Sequence, residues 1–122
     1  MTPQTPRTFT TVDSPADLDA LFQRSQLGPV IIFKHSPTCG TSAQAYDELA
    51  SYLLEHEALD VYLIDVLRNR ALSQSLAARV HVRHESPQLF VLHGGAVRWH
   101  GSHWRVTADA VRAAVAPTPA HG

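Results

Sequence analysis

One cysteine, one lysine and one methionine occur in 122 residues. A lone cysteine cannot close an internal disulfide, so a disulfide-stapled secreted domain is excluded and a reducing compartment, the cytoplasm, is expected. No apolar run approaches the length of a membrane span, so no membrane partner is expected. The start, Met-Thr-Pro-Gln-Thr-Pro-Arg-Thr, has no apolar core of the kind a secretory signal carries. Charge of either sign is not in excess, the formal net charge being −1. Nucleic acid and anionic membrane surfaces are therefore not expected partners.

What is there suits one globular domain: 44% of the residues are apolar and 17% charged. Residues 1–11, rich in Thr and Pro, read as a flexible arm. Residues 12–116 read as the domain and 117–122 as a tail.

Ser14-Pro15-Ala16-Asp17 is a helix start, with Ser14 as N-cap, and Leu18, Leu21 and Phe22 follow at helical spacing. Gly28-Pro29 is the expected stop. Residues 30–34 read as a strand buried on both faces, because the apolar run is unbroken and β-branched. A helix is expected from Ala43 to Glu55, with Tyr46, Leu49, Ala50, Leu53 and Leu54 as its apolar stripe. Residues 60–66 read as a second strand, parallel to the first. Asn69 is placed to cap a third helix carrying Leu72, Leu76 and Val80. After Ser86-Pro87, residues 88–92 read as a strand, Gly94-Gly95 as a hairpin turn and Ala96 to His100 as the return strand. Simple alternation puts Val97 and Trp99 on one face, Arg98 and His100 on the other. Thr107 is placed to cap a last helix. The order predicts an α/β domain with a mixed four-stranded sheet and helices on both faces.

The cysteine, Cys39, lies between the first strand and a helix start. The first backbone N–H groups of a helix have no partners inside it, and their partial positive charge favours an anion such as a thiolate. The thiolate is the reactive form in thiol–disulfide exchange. A buried, inert thiol is the plainer reading of a lone cysteine. Eight histidines are present, and His35, His81, His84, His93, His100 and His103 are the metal-ligand candidates. None pairs with another at the helical spacing zinc sites use, so no metal is expected.

Three segments resemble the monothiol bacilliredoxins, a thioredoxin-like family linked to the small thiol bacillithiol. Thr38, Cys39 and Ser42 fit the family's Thr-Cys-Pro-x-Ser loop, His84 to Gln88 its His-Glu-Ser-Pro-Gln segment, and Ser102, His103 and Trp104 its Ser-His-Trp segment. Gly40 departs from the family's proline. It makes the loop more like the Cys-Gly-Phe-Ser loop of monothiol glutaredoxins.

The resemblance implies a thioredoxin-like fold and removal of bacillithiol from protein mixed disulfides, with Cys39 as nucleophile. Gly40, Thr41 and Ser42 would stabilise its thiolate, Ser42 by donating its hydroxyl proton, though Ser42 reads equally as an ordinary polar residue of the first turn. Pro37, Thr38, Ser86 and Pro87 would bind substrate, Pro87 through a cis peptide bond. Lys34, His35 and His103 are candidates for tuning the thiol, though Lys34 reads equally as a solvated strand end. Trp99 and Trp104 read as packing residues. Bacillithiol would be a substrate rather than a cofactor, and no cofactor is implied. Its malate carboxylates would meet backbone N–H groups and an arginine or lysine. The implied partners are bacillithiol-bearing client proteins and an outside thiol or reductase that regenerates Cys39. Two other readings stay open: an iron–sulfur cluster carrier, and a binding module with an inert cysteine.

Overall fold

The computed structural model describes residues 9–55 and 60–116; most of the arm, residues 1–8, and the whole tail, residues 117–122, lie outside them. In chain order the elements are β1 (Thr10–Thr11), α1 (Pro15–Arg24), β2 (Val30–His35), α2 (Gly40–Glu55), β3 (Val61–Asp65), α3 (Arg70–Val80), β4 (Gln88–His93), β5 (Ala96–Ser102), a 3-10 turn (His103–Arg105) and α4 (Ala108–Val115).

The sheet has five strands in the order β1-β3-β2-β4-β5, one more than the sequence suggests. The additional strand is Thr10–Thr11, which pairs parallel with Tyr62 and Leu63. Two threonines are too few to show alternation, so the strand is invisible to pattern reading. β2 and β3 are parallel, whereas β4 runs antiparallel to β2 and β5 antiparallel to β4.

Alternation along the central strands sorts two cores. Val30 and Ile32 face α1 and α3, meeting Leu18, Leu21, Phe22, Leu72 and Leu76. Ile31 and Phe33 face α2 and α4, meeting Ala45, Leu49, Leu53, Val111 and Ala114. A wholly buried β2 follows, which is why its sequence shows no polar alternation. Each such Leu or Ile contributes roughly 1.5–3 kcal/mol through burial. The side chain of Leu54, placed in the α2 stripe by spacing, is outside what is described.

Ser14 caps α1 as expected, its Oγ accepting from Asp17 N–H at 3.1 Å. The helix stops at Arg24, before the expected Gly28-Pro29. The buried Ser25 explains the early stop. Its hydroxyl donates back to the Phe22 carbonyl at 2.6 Å and accepts from Gly95 N–H at 2.9 Å, while its carbonyl accepts from Gly94 N–H at 2.7 Å. The end of α1 is thereby tied to the β4–β5 turn. That turn needs left-handed backbone at both central positions, and Gly94 and Gly95 supply it at φ 64° and 78°.

Simple alternation fails in β5. Leu92 pairs with Val97 but Val91 pairs with Trp99, so Arg98 is an extra, bulged residue. Val97 therefore joins the α1/α3 core and Trp99 the α2/α4 core. Asn69 occupies the N-cap position of α3 without capping it; its Nδ2 donates to Asp13 Oδ1 at 3.1 Å instead.

Thr107 caps α4 as expected, accepting from Ala110 N–H at 3.1 Å. Thr107→Ala is expected to lower unfolding free energy by about 1 kcal/mol in urea titration, with Thr107→Ser restoring most of it.

Candidate active site

The backbone fixes where Cys39 stands. Its N–H donates to the Ser36 carbonyl at 3.1 Å, and its own carbonyl accepts from Ala43 N–H at 3.0 Å. The second bond is the first of α2, so Cys39 is the N-cap residue and Gly40 the first residue of the helix. The helix thus begins a turn earlier than the expected Ala43, because glycine and threonine here continue it rather than forming a loop. The half-exposed thiol sits at the positive end of a 16-residue helix. Gly40 and Thr41 occupy the first two helical positions, whose N–H groups have no intrahelical acceptor. Pro37 and Thr38 form the exposed turn leading into it.

Ser42 is fully buried one turn on. Its Oγ accepts from Ser36 N–H at 2.9 Å and lies 2.8 Å from His35 Nδ1. The two bonds the hydroxyl makes run to Ser36 and His35 rather than to the sulfur the sequence assigned it. Burial favours the neutral imidazole of His35 and pushes its pKa down, partly opposed by the Asp65 carboxylate. Through these two contacts the serine holds the thiol loop. The His35 ring is braced by Phe33 at 5.3 Å and Tyr46 at 5.1 Å between centroids.

The second loop reaches the same end of the sheet. The β2–β4 register pairs Lys34 with Gln88, so Pro87 lies beside the end of β2. The Ser86–Pro87 peptide is cis and Pro87 is buried. Ser86 Oγ is buried and has no hydrogen-bond partner among the described residues. The Pro87 carbonyl accepts from His103 N–H at 2.9 Å, which joins the 3-10 turn to this loop. His103, in left-handed backbone at φ 54°, borders a hollow with Thr41, Gln44 and Trp104 beside the first turns of α2. Trp104 is 74% exposed, not a packing residue. Trp99 is half-buried against the α2/α4 core.

Lys34 corrects the reading of a solvated strand end: it is fully buried. Its Nζ lies 3.1 Å from His84 Nδ1 and 5.4 Å from the centre of the Phe90 ring. It shares the α1/α3 face with Ile32, whereas His35 shares the α2 face with Phe33, so the structure does not bring Lys34 together with His35 and Ser42. Burial lowers the Lys34 pKa from 10.5 to about 8. His84 was missed as its partner; the available signal was a lone lysine ending an otherwise apolar strand. Glu85 was missed too. Its carboxylate accepts from Ser102 Oγ and lies 3.9 Å from His103 Nε2.

Among the described residues no three His, Cys, Asp or Glu side chains are grouped to hold a metal ion. No described helix is long and apolar enough to cross a membrane.

Solved structures share this fold. One, described as a thioredoxin-fold protein with a proposed oxidoreductase role, is 30% identical, covering 86% of this chain and 91% of its own, at a TM-score of 0.79. Thioredoxin from Fasciola hepatica is 16% identical over 88% of this chain and 96% of its own, at 0.69. A single-substitution thioredoxin from Halobacterium salinarum is 20% identical over 97% of this chain and all of its own, also at 0.69. The two thioredoxins establish the fold alone. The family model described as monothiol bacilliredoxin BrxC matches residues 10–111, from the first strand into the last helix. Family and fold together support a thiol oxidoreductase type of role. On the extent of that match, the chain belongs to the monothiol bacilliredoxin family.

Proposed function

We propose that this protein removes bacillithiol from protein mixed disulfides in the cytoplasm through Cys39. The observation that carries the reading is the thiol at the N-cap of α2 with no second cysteine in the chain.

The Cys39 thiolate attacks the bacillithiol sulfur of a mixed disulfide. The client–bacillithiol S–S bond breaks, and the client sulfur leaves as a thiolate that takes up a proton. Cys39 now carries bacillithiol in a new disulfide, with no net change in oxidation state. The half-positive helix start stabilises the attacking thiolate. The backbone of Ser86 beside Pro87 offers hydrogen bonds to the bound disulfide. Regeneration requires an outside thiol or reductase to attack the Cys39 adduct, because an internal thiol is lacking.

Intact mass after incubation with bacillithiol disulfide tests this. Rapid gain of one bacillithiol, faster than gain of glutathione from glutathione disulfide, is expected. Cys39→Ser is expected to gain none. Equal labelling by both disulfides would remove bacillithiol from the reading, and no labelling would remove the exchange chemistry itself.

A further inference from the structure

Resting on that function, we infer that the groove between the α3–β4 segment and β5, walled by Arg83 and Arg105, binds the carboxylate-bearing end of the small thiol while its sulfur engages Cys39.

The groove is open, with a volume of about 320 Å³, and His81 and His100 also line it. Three arginines elsewhere on the surface are paired. Arg24, Arg79 and Arg112 each have a carboxylate within 4.0 Å, namely Asp60, Asp19 and Glu55. Arg83 and Arg105, like Arg68 and Arg70, have none among the described residues, but only Arg83 and Arg105 line this groove together, and Arg105 lies 6.0 Å from the Trp99 ring centre. The one acid in the groove, Glu85, is already engaged by Ser102 and by His103. Ser102 and His103, with neighbouring Arg83 and His100, hold its carboxyl in the charged form. Its negative charge offsets one of the two guanidinium charges and leaves the groove net positive. Two unpaired guanidinium forks suit a ligand with more than one carboxylate.

The groove connects to the thiol through one residue. His103 reaches Glu85 on the groove side and borders Thr41 and Gln44 on the α2 side, while its N–H bonds the Pro87 carbonyl. The inferred pose runs the polar end of a thiol bound at Cys39 over Pro87 and His103 towards Arg83 and Arg105. The resemblance alone implied an arginine without a position; the groove supplies two.

The test measures the rate at which Cys39 is labelled by bacillithiol disulfide, which carries carboxylates, and by hydroxyethyl disulfide, which does not. It compares the wild type with Arg83→Ala/Arg105→Ala, and uses Arg24→Ala/Arg112→Ala as a control that removes the same charge elsewhere. The groove variant is expected to lose about tenfold with bacillithiol disulfide, the equivalent of one charge-assisted hydrogen bond, and to keep its rate with hydroxyethyl disulfide. The control variant is expected to keep both rates. Equal rates for groove variant and wild type, with the wild type still preferring bacillithiol disulfide, would overturn the groove and leave the function standing. Equal losses in groove and control variants would also overturn it, reducing the effect to long-range attraction. A wild type without preference would overturn both.

Discussion

On the proposed function, Ser42→Cys is expected to turn a protein that keeps a small thiol on Cys39 into one that expels it. In the wild type, the adduct on Cys39 has no thiol within the chain to attack it. In the variant, the thiolate introduced at position 42 attacks Cys39 Sγ, the bond to the small thiol breaks, and the small thiol leaves and is protonated. The protein ends as an internal disulfide, two hydrogens lighter than the reduced form. Residues three apart on a helix lie about 5–6 Å apart at Cβ, and a disulfide needs about 1–2 Å less, so the first turn must tighten. Mass spectra over time are expected to show a transient adduct that gives way to the lighter oxidised protein. An adduct as lasting as that of the wild type would refute the prediction. The substitution also has a structural cost. Ser36 N–H and His35 Nδ1 both lose an oxygen partner at a fully buried site, which costs about 1–3 kcal/mol. The reduced variant is therefore expected to melt below the wild type.

Lys34→Met is expected to stabilise the protein at neutral pH. Methionine matches the length of the lysine stem and sets its sulfur near Phe90, a favourable contact. The amine it removes is charged at pH 7 and buried against a neutral imidazole. The drop from 10.5 to about 8 corresponds to about 3 kcal/mol held against the fold, or roughly 10 °C in Tm. The pH dependence carries the signature. Between about 8 and 10.5 the unfolded chain binds this proton and the folded chain does not, so wild-type stability rises with pH. Below about 8 the full penalty is present. The advantage of the variant should thus be greatest near pH 7 and shrink through this window. Below the usual imidazole range a second difference is expected. Burial, Lys34 and Arg70 all hold the His84 pKa down, so the wild type loses stability as the unfolded histidine takes up its proton first. Removing Lys34 lessens that loss. Urea titrations of both proteins from pH 5 to 10.5 would show it, and parallel curves would contradict the assignment. Because Lys34 is on the face away from His35 and Ser42, labelling of Cys39 should be unaffected.

The parts of the fold visible in the sequence are those where one residue type has one local use. Ser14 before Pro15, Thr107 before an apolar helix face, and Gly94-Gly95 between two strands each gave the right element, because caps and tight turns depend on near neighbours. The cysteine at a helix start was legible for the same reason. Partners distant in the chain were not. Ser42 has two readings until the tertiary fold brings Ser36 and His35 to it. Ser25 ends α1 because the β4–β5 turn, seventy residues later, captures it. Lys34 looked solvated because charge normally marks the surface; only the packing of Phe90 and His84 keeps it inside. Arg98 broke the alternation of β5, and a bulge leaves no mark in hydrophobic pattern.

The two-residue strand at the start of the domain does more than lengthen the sheet. Without it, β3 would present Val61, Tyr62, Leu63 and Ile64 along an unpaired rim, a β-rich template for another chain. Thr10, Thr11 and the Val12 N–H, which donates to the Leu63 carbonyl at 2.9 Å, occupy that rim and leave an edge only two residues long. The opposite rim is guarded differently, by the Arg98 bulge and an exposed histidine at position 100. Both borders of the sheet therefore discourage strand-to-strand polymerisation without covering the end that carries Cys39.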